Sequence, residues 1–279
     1  MTEDTTGTEP VKIDVDEIFR NKNPRVYKLL PGFILGYIKR TIHQDEVNEA
    51  LSLYKDKHGL DFIRAILDRM GINYSVEGEE NIPIKGRHIF VSNHPLGGLD
   101  GMVFLDIVGK YHKNVKFIVN DLLLNIKNLE SLFVPINKHG RQSVEYVKKI
   151  EDLYRSDHQV LYFPAGICSR KQEGKIMDLE WKKSFIKKAI DHKRNIVPVH
   201  FEGKNSKFFY RLAYLRKILG IKANIEMFYL PDEMFRQSRQ KIHVTFGKPI
   251  PWDHFDKSKS LSEWAEEVKK IVYSLKEKQ

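Results

Sequence analysis

The chain has 279 residues, 41% of them hydrophobic and 30% charged, which is enough apolar content for a core and excludes wholesale disorder. Its formal charge is +10, but residues 1–17 hold six acids (Glu3, Asp4, Glu9, Asp14, Asp16, Glu17) against Lys12, a local −5 that leaves +15 for the rest. A body that basic attracts polyanions: nucleic acid, an anionic bilayer surface and an acidic carrier protein all fit, and charge alone does not choose among them.

In chain order, residues 1–15 read as a disordered acidic lead without the charged and apolar regions of a secretory signal. Residues 16–75 read as an N-terminal helical cap, whose last helix stops at Gly71 after Ala65–Met70. Within it, Leu29–Ile38 is an uncharged apolar run of ten residues containing Pro31, Gly32 and Gly36, half the roughly 20 that a membrane-spanning helix needs. Arg25 and Lys28 before it and Lys39 and Arg40 after it suit a segment lying in a membrane interface; a core helix is the other reading, and both stand.

From about residue 76 to 279 the pattern changes. Short apolar runs at His88–Val91, Val115–Val119, Val160–Phe163, Ile196–Phe201 and Ile242–Phe246 read as buried strands. Helical spacing fills Gln142–Tyr154, Trp181–His192, Ser206–Leu219 and Leu261–Leu275. Strand and helix in alternation predict an α/β domain, a layered sheet flanked by helices. No period of roughly 20 to 50 residues marks a repeat protein. The lone Cys168 excludes an internal disulfide and a cysteine-built zinc site, which fits a reducing, cytoplasmic setting. His139, His192 and His200 show no ligand spacing with one another, so no metal is expected.

Gly-x-Gly-x-x-Gly, a Gly-Lys-[Ser/Thr] phosphate loop, His-Glu-x-x-His and Gly-x-Ser-x-Gly are all absent, which moves nucleotide kinases, zincins and ordinary lipases down the order of readings. What stands out is Phe90-Val-Ser-Asn-His-Pro-Leu-Gly-Gly-Leu-Asp-Gly101, a strand running into a glycine-rich turn. It places His94 at a strand end with Asp100 six positions on. A carboxylate on one ring nitrogen fixes the tautomer and leaves the other nitrogen as a general base. Gly97 and Gly98 allow close approach of a substrate to the backbone. The plainer reading is that Asn93 and Asp100 cap the turn and a helix from about Gly101, with His94 an ordinary polar group.

Asn93-His94 followed by Asp100 resembles the first motif of the glycerolipid (lysophosphatidic acid) acyltransferases, His, four residues, Asp, here with five residues between. Asn-His-Pro-Leu-Gly-Gly-Leu-Asp-Gly is similar to a bacterial branch labelled putative hemolysin or lysophospholipid acyltransferase, some of whose members acylate amino-acid lipids. Three further blocks resemble the family's in order over roughly residues 75–250: Pro135-Ile-Asn-Lys-His-Gly-Arg141, Phe163-Pro-Ala-Gly-Ile-Cys-Ser169 and Ile196-Val-Pro-Val-His200. The resemblance implies His94 and Asp100 as catalytic residues. It also implies substrate contacts from Asn93, Gly97, Gly98, Lys138, Arg141, Pro164, Gly166 and Ser169. In the third block Ala165, Ile167 and Cys168 stand for the usual Glu, Thr and Arg; Arg170 is the candidate to restore the missing charge. A covalent route through Cys168 is the disfavoured alternative.

The expectation is direct O-acyl transfer without a cofactor, from an acyl carrier protein or coenzyme A thioester to the hydroxyl of lysophosphatidate, a lyso-aminolipid or an N-acyl amino acid. His94 serves as base, and backbone N–H groups near Gly97, Gly98 or Gly166 receive the oxyanion. The resemblance implies peripheral attachment to the inner face of the cell membrane, with Val26–Thr41, Lys85, Arg87 and Phe208–Lys217 toward an anionic lipid surface. Two alternatives remain: a catalytically inactive lipid-binding relative, and a basic nucleic-acid-binding protein that stacks bases on Phe208, Phe209, Tyr210 and Tyr214.

Overall fold

The computed structural model describes residues 12–22, 24–120, 126–136 and 144–278. Five helices come first: α1 (Val15–Lys22), α2 (Pro24–Leu29), α3 (Gly32–Thr41), α4 (Gln44–Leu53) and α5 (Gly59–Arg69). They do not form a separate unit. Leu51 of α4 and Phe62, Ile63 and Leu67 of α5 join the main core, because the apolar residues of α5 recur at helical spacing and turn one face onto the sheet layer.

A seven-stranded sheet organises the rest, in the order β1 (Asn73–Glu77), β9 (Lys241–Phe246), β8 (Asn195–Phe201), β2 (His88–Ser92), β5 (Gln159–Tyr162), β3 (Val115–Asn120) and β4 (Phe133–Ile136). The last five run parallel; β9 pairs antiparallel with β8, and β1 follows β9 in parallel. Every residue of β2 and of β5 is buried, which is why these strands read as continuous apolar runs without alternation. Helices α6 (Gly98–Tyr111), α7 (Val144–Arg155), α8 (Ser184–His192) and α11 (Leu261–Ser274) cover the sheet in two core layers. A two-stranded hairpin, β6 (Arg170–Gln172) with β7 (Lys175–Met177), follows the β5 end. Helices α9 (Lys207–Ile218) and α10 (Leu230–Arg236) lie between β8 and β9.

Five expected strands and four expected helices sit within a few residues of their windows. Three features depart from the sequence reading. β1 lies inside the stretch read as helical and straddles the 75/76 boundary, pairing in register from Asn73 with Lys241 to Glu77 with Thr245. β4 and the β6–β7 hairpin are further strands. Arg87, expected toward a lipid surface, is tied into the fold: its guanidinium donates to the carbonyls of Arg155 and His192, at the C-terminal ends of α7 and α8. That is the N-terminal end of β2, whereas the motif turn leaves its C-terminal end.

Candidate active site

The chain leaves β2 at Ser92 and turns through Asn93–Gly97 into α6, at the carboxyl end of the parallel strands where open α/β sheets present ligands. His94 Nδ1 lies 3.0 and 3.1 Å from the two carboxylate oxygens of Asp100. Asp100 is wholly buried and also accepts the backbone N–H of Leu96 (2.8 Å) and its neighbour's N–H at Gly101 (2.9 Å). A carboxylate only accepts, so Nδ1 carries a proton toward Asp100, and Nε2 is the nitrogen that can serve as a base once the ring is neutral. Gly97, with φ of 75° and ψ of −124°, bends the chain where α6 begins, and across the five intervening residues Asp100 comes back to His94. Asp100 therefore lies inside the first turn of α6, not before a helix starting near Gly101.

His94 stacks on Phe163, ring centroids 4.0 Å apart and 17° between planes, which fixes the second degree of freedom of the imidazole. Burial works against the charged imidazole, but Asp100 and the Cys168 sulfur favour it, and the balance holds His94 well above its usual range. Helix α6 opens beside this histidine with first-turn N–H groups that have no helical carbonyl to meet, a geometry suited to a developing oxyanion.

The third block docks on the first through a carboxylate that sequence reasoning missed. Ser169 N–H donates to the His94 carbonyl (2.8 Å). Asp178, wholly buried, accepts His94 N–H (3.2 Å), Ser169 Oγ–H (2.6 Å) and Trp181 Nε1–H (2.9 Å). Burial raises the Asp178 carboxyl above its usual range. A lone Asp after a short hairpin carries no motif signal; only the fold reveals its position.

Other expected site residues have structural occupations. Asn93 clamps β2 to β8, donating to Phe201 O (2.8 Å) and accepting Phe201 N–H (2.7 Å). Pro164 O accepts Lys182 N–H, and the Gly166 N–H closes a turn onto Phe163 O (2.9 Å), so that group is already engaged. Gly98 is exposed at the start of α6, while Gly97 lies under Leu230 of α10. Arg170 is buried and paired with Glu226 at 2.7 Å, a correction to the picture of an open cation awaiting the acceptor. Lys138 and Arg141 lie outside the described residues. Cys168 is buried beside Gly97. Among the described residues, no group of three or more His, Cys, Asp or Glu side chains is arranged to hold a metal ion.

The nucleic-acid reading loses its platform. Phe209 and Tyr210 are buried and Arg216 is held by Glu226 at 2.9 Å, leaving Phe208 and Tyr214 as the exposed members of the four aromatic side chains.

A histidine base oriented by a buried carboxylate, at a strand end and beside a helix N-terminus, is the equipment of a transferase that activates a hydroxyl. The comparisons agree with that class. The family model described as Acyltransferase matches residues 17–279, and the chain belongs to that family. It is an acyltransferase. It is 53% identical over 264 residues to a lyso-glycine lipid O-acyltransferase of Bacteroides thetaiotaomicron, covering 94% of this chain and 97% of that one. A protein of the same name from Phocaeicola vulgatus is 48% identical over 264 residues, covering 94% and 95%. The solved 1-acyl-sn-glycerophosphate (LPA) acyltransferase PlsC of Thermotoga maritima aligns over 88% of this chain and 90% of that one, with 19% identity and a TM-score of 0.48.

Proposed function

We propose that this acyltransferase moves a fatty acyl group from a thioester to the hydroxyl of a lyso-glycine lipid, an N-acylated amino acid. The observation that carries the chemistry is the closed His94–Asp100 pair, with Nε2 left as base. The acceptor class follows the names of two relatives about half identical over nearly the whole chain.

In the reaction, Nε2 takes the hydroxyl proton as the oxygen attacks the thioester carbonyl. Asp100 stabilises the imidazolium without being protonated. First-turn N–H groups of α6 meet the oxyanion of the tetrahedral intermediate. The C–S bond then breaks, the imidazolium returns its proton to the leaving sulfur, and an ester and a free thiol depart. Acyl carrier protein or coenzyme A would serve as donor, since an acidic carrier or a phosphate-bearing thiol suits the +15 body.

The reaction belongs at a membrane surface, because acceptor and product are both lipids. No helix among the described residues is long and apolar enough to cross a membrane. An interfacial surface supports the reading instead: Leu29 (82% exposed) and Phe33 (76%) lie on α2 and α3, and Tyr214, Ile218 and Leu219 (70%) lie on and just after α9. The two groups are joined where Tyr37 hydrogen-bonds Tyr229 (Oη to Oη, 3.0 Å) and Phe208 packs edge-on against Tyr229. Exposed Arg25, Lys28, Arg40, Lys207, Arg211, Lys217 and Lys222 flank them, as an anionic lipid surface requires.

The test is turnover. Purified protein and its His94→Ala variant are given palmitoyl carrier protein or palmitoyl coenzyme A with lyso-glycine lipid and, separately, lysophosphatidate. Acylated glycine lipid from wild type alone is the expected result; product only from lysophosphatidate would reject the acceptor, and equal product from the variant would reject the base.

A further inference from the structure

Next to the catalytic turn is a small buried cluster of Cys168, Phe209 and Tyr210, with Leu230 packed on it. It touches the turn directly: a Cβ built on Gly97 would lie 3.6 Å from Cys168 Sγ and 3.1 Å from Leu230 Cδ2. The loop that leaves β8 closes the other side. In that loop a Cβ on Gly203 would fall 2.7 Å from Leu96, two residues after His94, and Asn205 N–H donates to Tyr210 Oη (3.0 Å).

Asn205 is 3% exposed, yet neither its Nδ2 nor its Oδ1 has a hydrogen-bond partner among the described residues. Leaving both ends of a buried amide unmet is costly, and native proteins do it rarely unless a water or ligand completes the group. The neighbouring charges are accounted for. Glu233 receives Ser206 N–H and its hydroxyl at the start of α9, and Glu226 is held between Arg170 and Arg216. Arg170 lies over the Phe209 ring at 5.0 Å and donates through Nη1 to Cys168 O, but its Nε–H is also unmet. The free groups along this cluster are thus an amide donor, an amide acceptor and one guanidinium N–H.

Resting on the acceptor class proposed above, we infer that Asn205 is the specificity residue that recognises the amide linkage of an N-acylated amino acid. Its Oδ1 accepts the acceptor's amide N–H, and because the carbonyl of a trans amide points the opposite way, its Nδ2 donates to a carboxylate oxygen of the same amino acid, which an extended N-acyl amino acid presents on the side of its N–H. The unmet Nε–H of Arg170, whose Nη2 stays on Glu226, is a second buried donor on the same cluster. An ester-linked acceptor has no N–H to offer, so Oδ1 would face a second acceptor oxygen. A site built to hydrogen-bond an N–H rejects the analogue that lacks it far more strongly than an apolar pocket could. Because the Asn205 amide is sealed from solvent, the acceptor reaches it only when a neighbouring side chain moves aside.

The experiment compares two acceptors, an N-(hydroxyacyl)glycine and the glycolate ester that replaces its amide N–H by oxygen, on wild type, Asn205→Leu and Asn205→Ala. Circular dichroism and melting check the fold, and the alanine variant avoids any bulk the leucine adds. Wild type is expected to prefer the amide by about tenfold or more in kcat/KM, and both variants to bring that ratio close to one, mainly through KM for the amide. A ratio that stays at its wild-type value in the folded variants overturns the role of Asn205 while leaving the glycine-lipid reading intact. Wild type that turns over neither acceptor but does acylate lysophosphatidate overturns both.

Discussion

Asp178 holds His94 by its backbone: one carboxylate oxygen accepts the His94 N–H at 3.2 Å and the Ser169 hydroxyl at 2.6 Å, while Ser169 N–H returns a bond to the His94 carbonyl. The result is a closed ring of three bonds that locks the third sequence block onto the first. Asp178 touches no reacting atom in the proposed chemistry, so it is a positioning residue. Replacing it by asparagine puts an NH2 group opposite either Trp181 Nε1–H or the Ser169 hydroxyl and loosens the ring. Positional errors of about 1 Å can cost roughly a hundredfold in rate. Asp178→Asn is therefore expected to lower kcat by about ten- to a hundredfold with a smaller change in KM. Steady-state kinetics on folded protein decides it; a full wild-type kcat would show that the ring does not set the histidine.

The His94–Asp100 pair makes a prediction about pH. Because His94 is held well above its usual range, the unprotonated base accumulates only on the alkaline side, and kcat/KM is expected to rise with pH along a limb whose midpoint lies above 6.5. The same pairing has a stability sign. Its contribution is fully present below the unfolded value near 6.5 and is lost as pH rises through the raised folded value. Asp100→Asn should move the activity limb downward and reduce kcat by about a thousandfold or more, since the wrong tautomer then faces the substrate. A pH–rate profile of both proteins, with melting curves at each pH, measures the two effects together.

How much of this was readable from sequence depends on the range of the interaction. His94 and Asp100 are six residues apart, and the glycines between them announce the turn, so the pair could be found without coordinates. The buried strands were legible because parallel strands covered on both faces are apolar throughout. β1 was hidden: Asn73-Tyr-Ser-Val-Glu77 is half polar, and its strand state comes from pairing with β9, more than 160 residues away. Asp178 and Asn205 were invisible for the same reason, since each acquires its meaning from the residues that surround it. Arg170 shows the reverse case. Its charge suggests an anion site, and nothing local announces that Glu226, 56 residues on, meets it.

Gly97 is expected to be intolerant of a side chain for two separable reasons. Its φ of 75° with ψ of −124° is a conformation that residues with a Cβ rarely adopt, and the added carbon would press on Leu230 Cδ2 at 3.1 Å. The Leu230 side chain can give way; the backbone cannot. Gly97→Ala should cost about 1 to 3 kcal/mol of stability and reduce kcat more than KM, because the strain falls on the turn that closes Asp100 onto His94. Chemical denaturation and kinetics read the two effects, and Leu230→Ala added to the variant should relieve only the contact.

Arg194 predicts stability rather than activity. It is wholly buried and has no ion-pair partner among the described residues; its guanidinium instead donates to the carbonyls of Tyr154 (2.9 Å), His158 (2.8 Å) and Ser156. Burial pulls its pKa down to about 10. The side chain ties the end of α7 to the start of β5, and also reaches His88 O at the start of β2. Arg194→Met removes those donors and leaves buried carbonyls unmet, for an expected loss of about 3 to 5 kcal/mol. A denaturant midpoint within error of wild type would contradict the account.

The exposed apolar surface should govern access to lipid without touching chemistry. Phe33 and Leu219 are among its most exposed side chains, and neither is near the His94 turn in sequence or in the bonds that hold it. A glutamate at either place puts a charge where an acyl boundary would be, and opposes the anionic headgroups as well. Phe33→Glu and Leu219→Glu are each expected to weaken binding to vesicles containing anionic lipid by several-fold, with the double substitution weaker still, and to raise the apparent KM for vesicle-borne acceptor. With acceptor dispersed in detergent the interface no longer limits encounter, so kcat should return to the wild-type value. Raising salt should weaken wild-type binding through its lysines and arginines, since exposed charges are screened beyond about 10 Å at 0.1 M. Co-sedimentation across a salt series, paired with rates in vesicles and in detergent, separates a docking surface from a folding defect: a substitution that lowers both rates equally would place its effect in the fold.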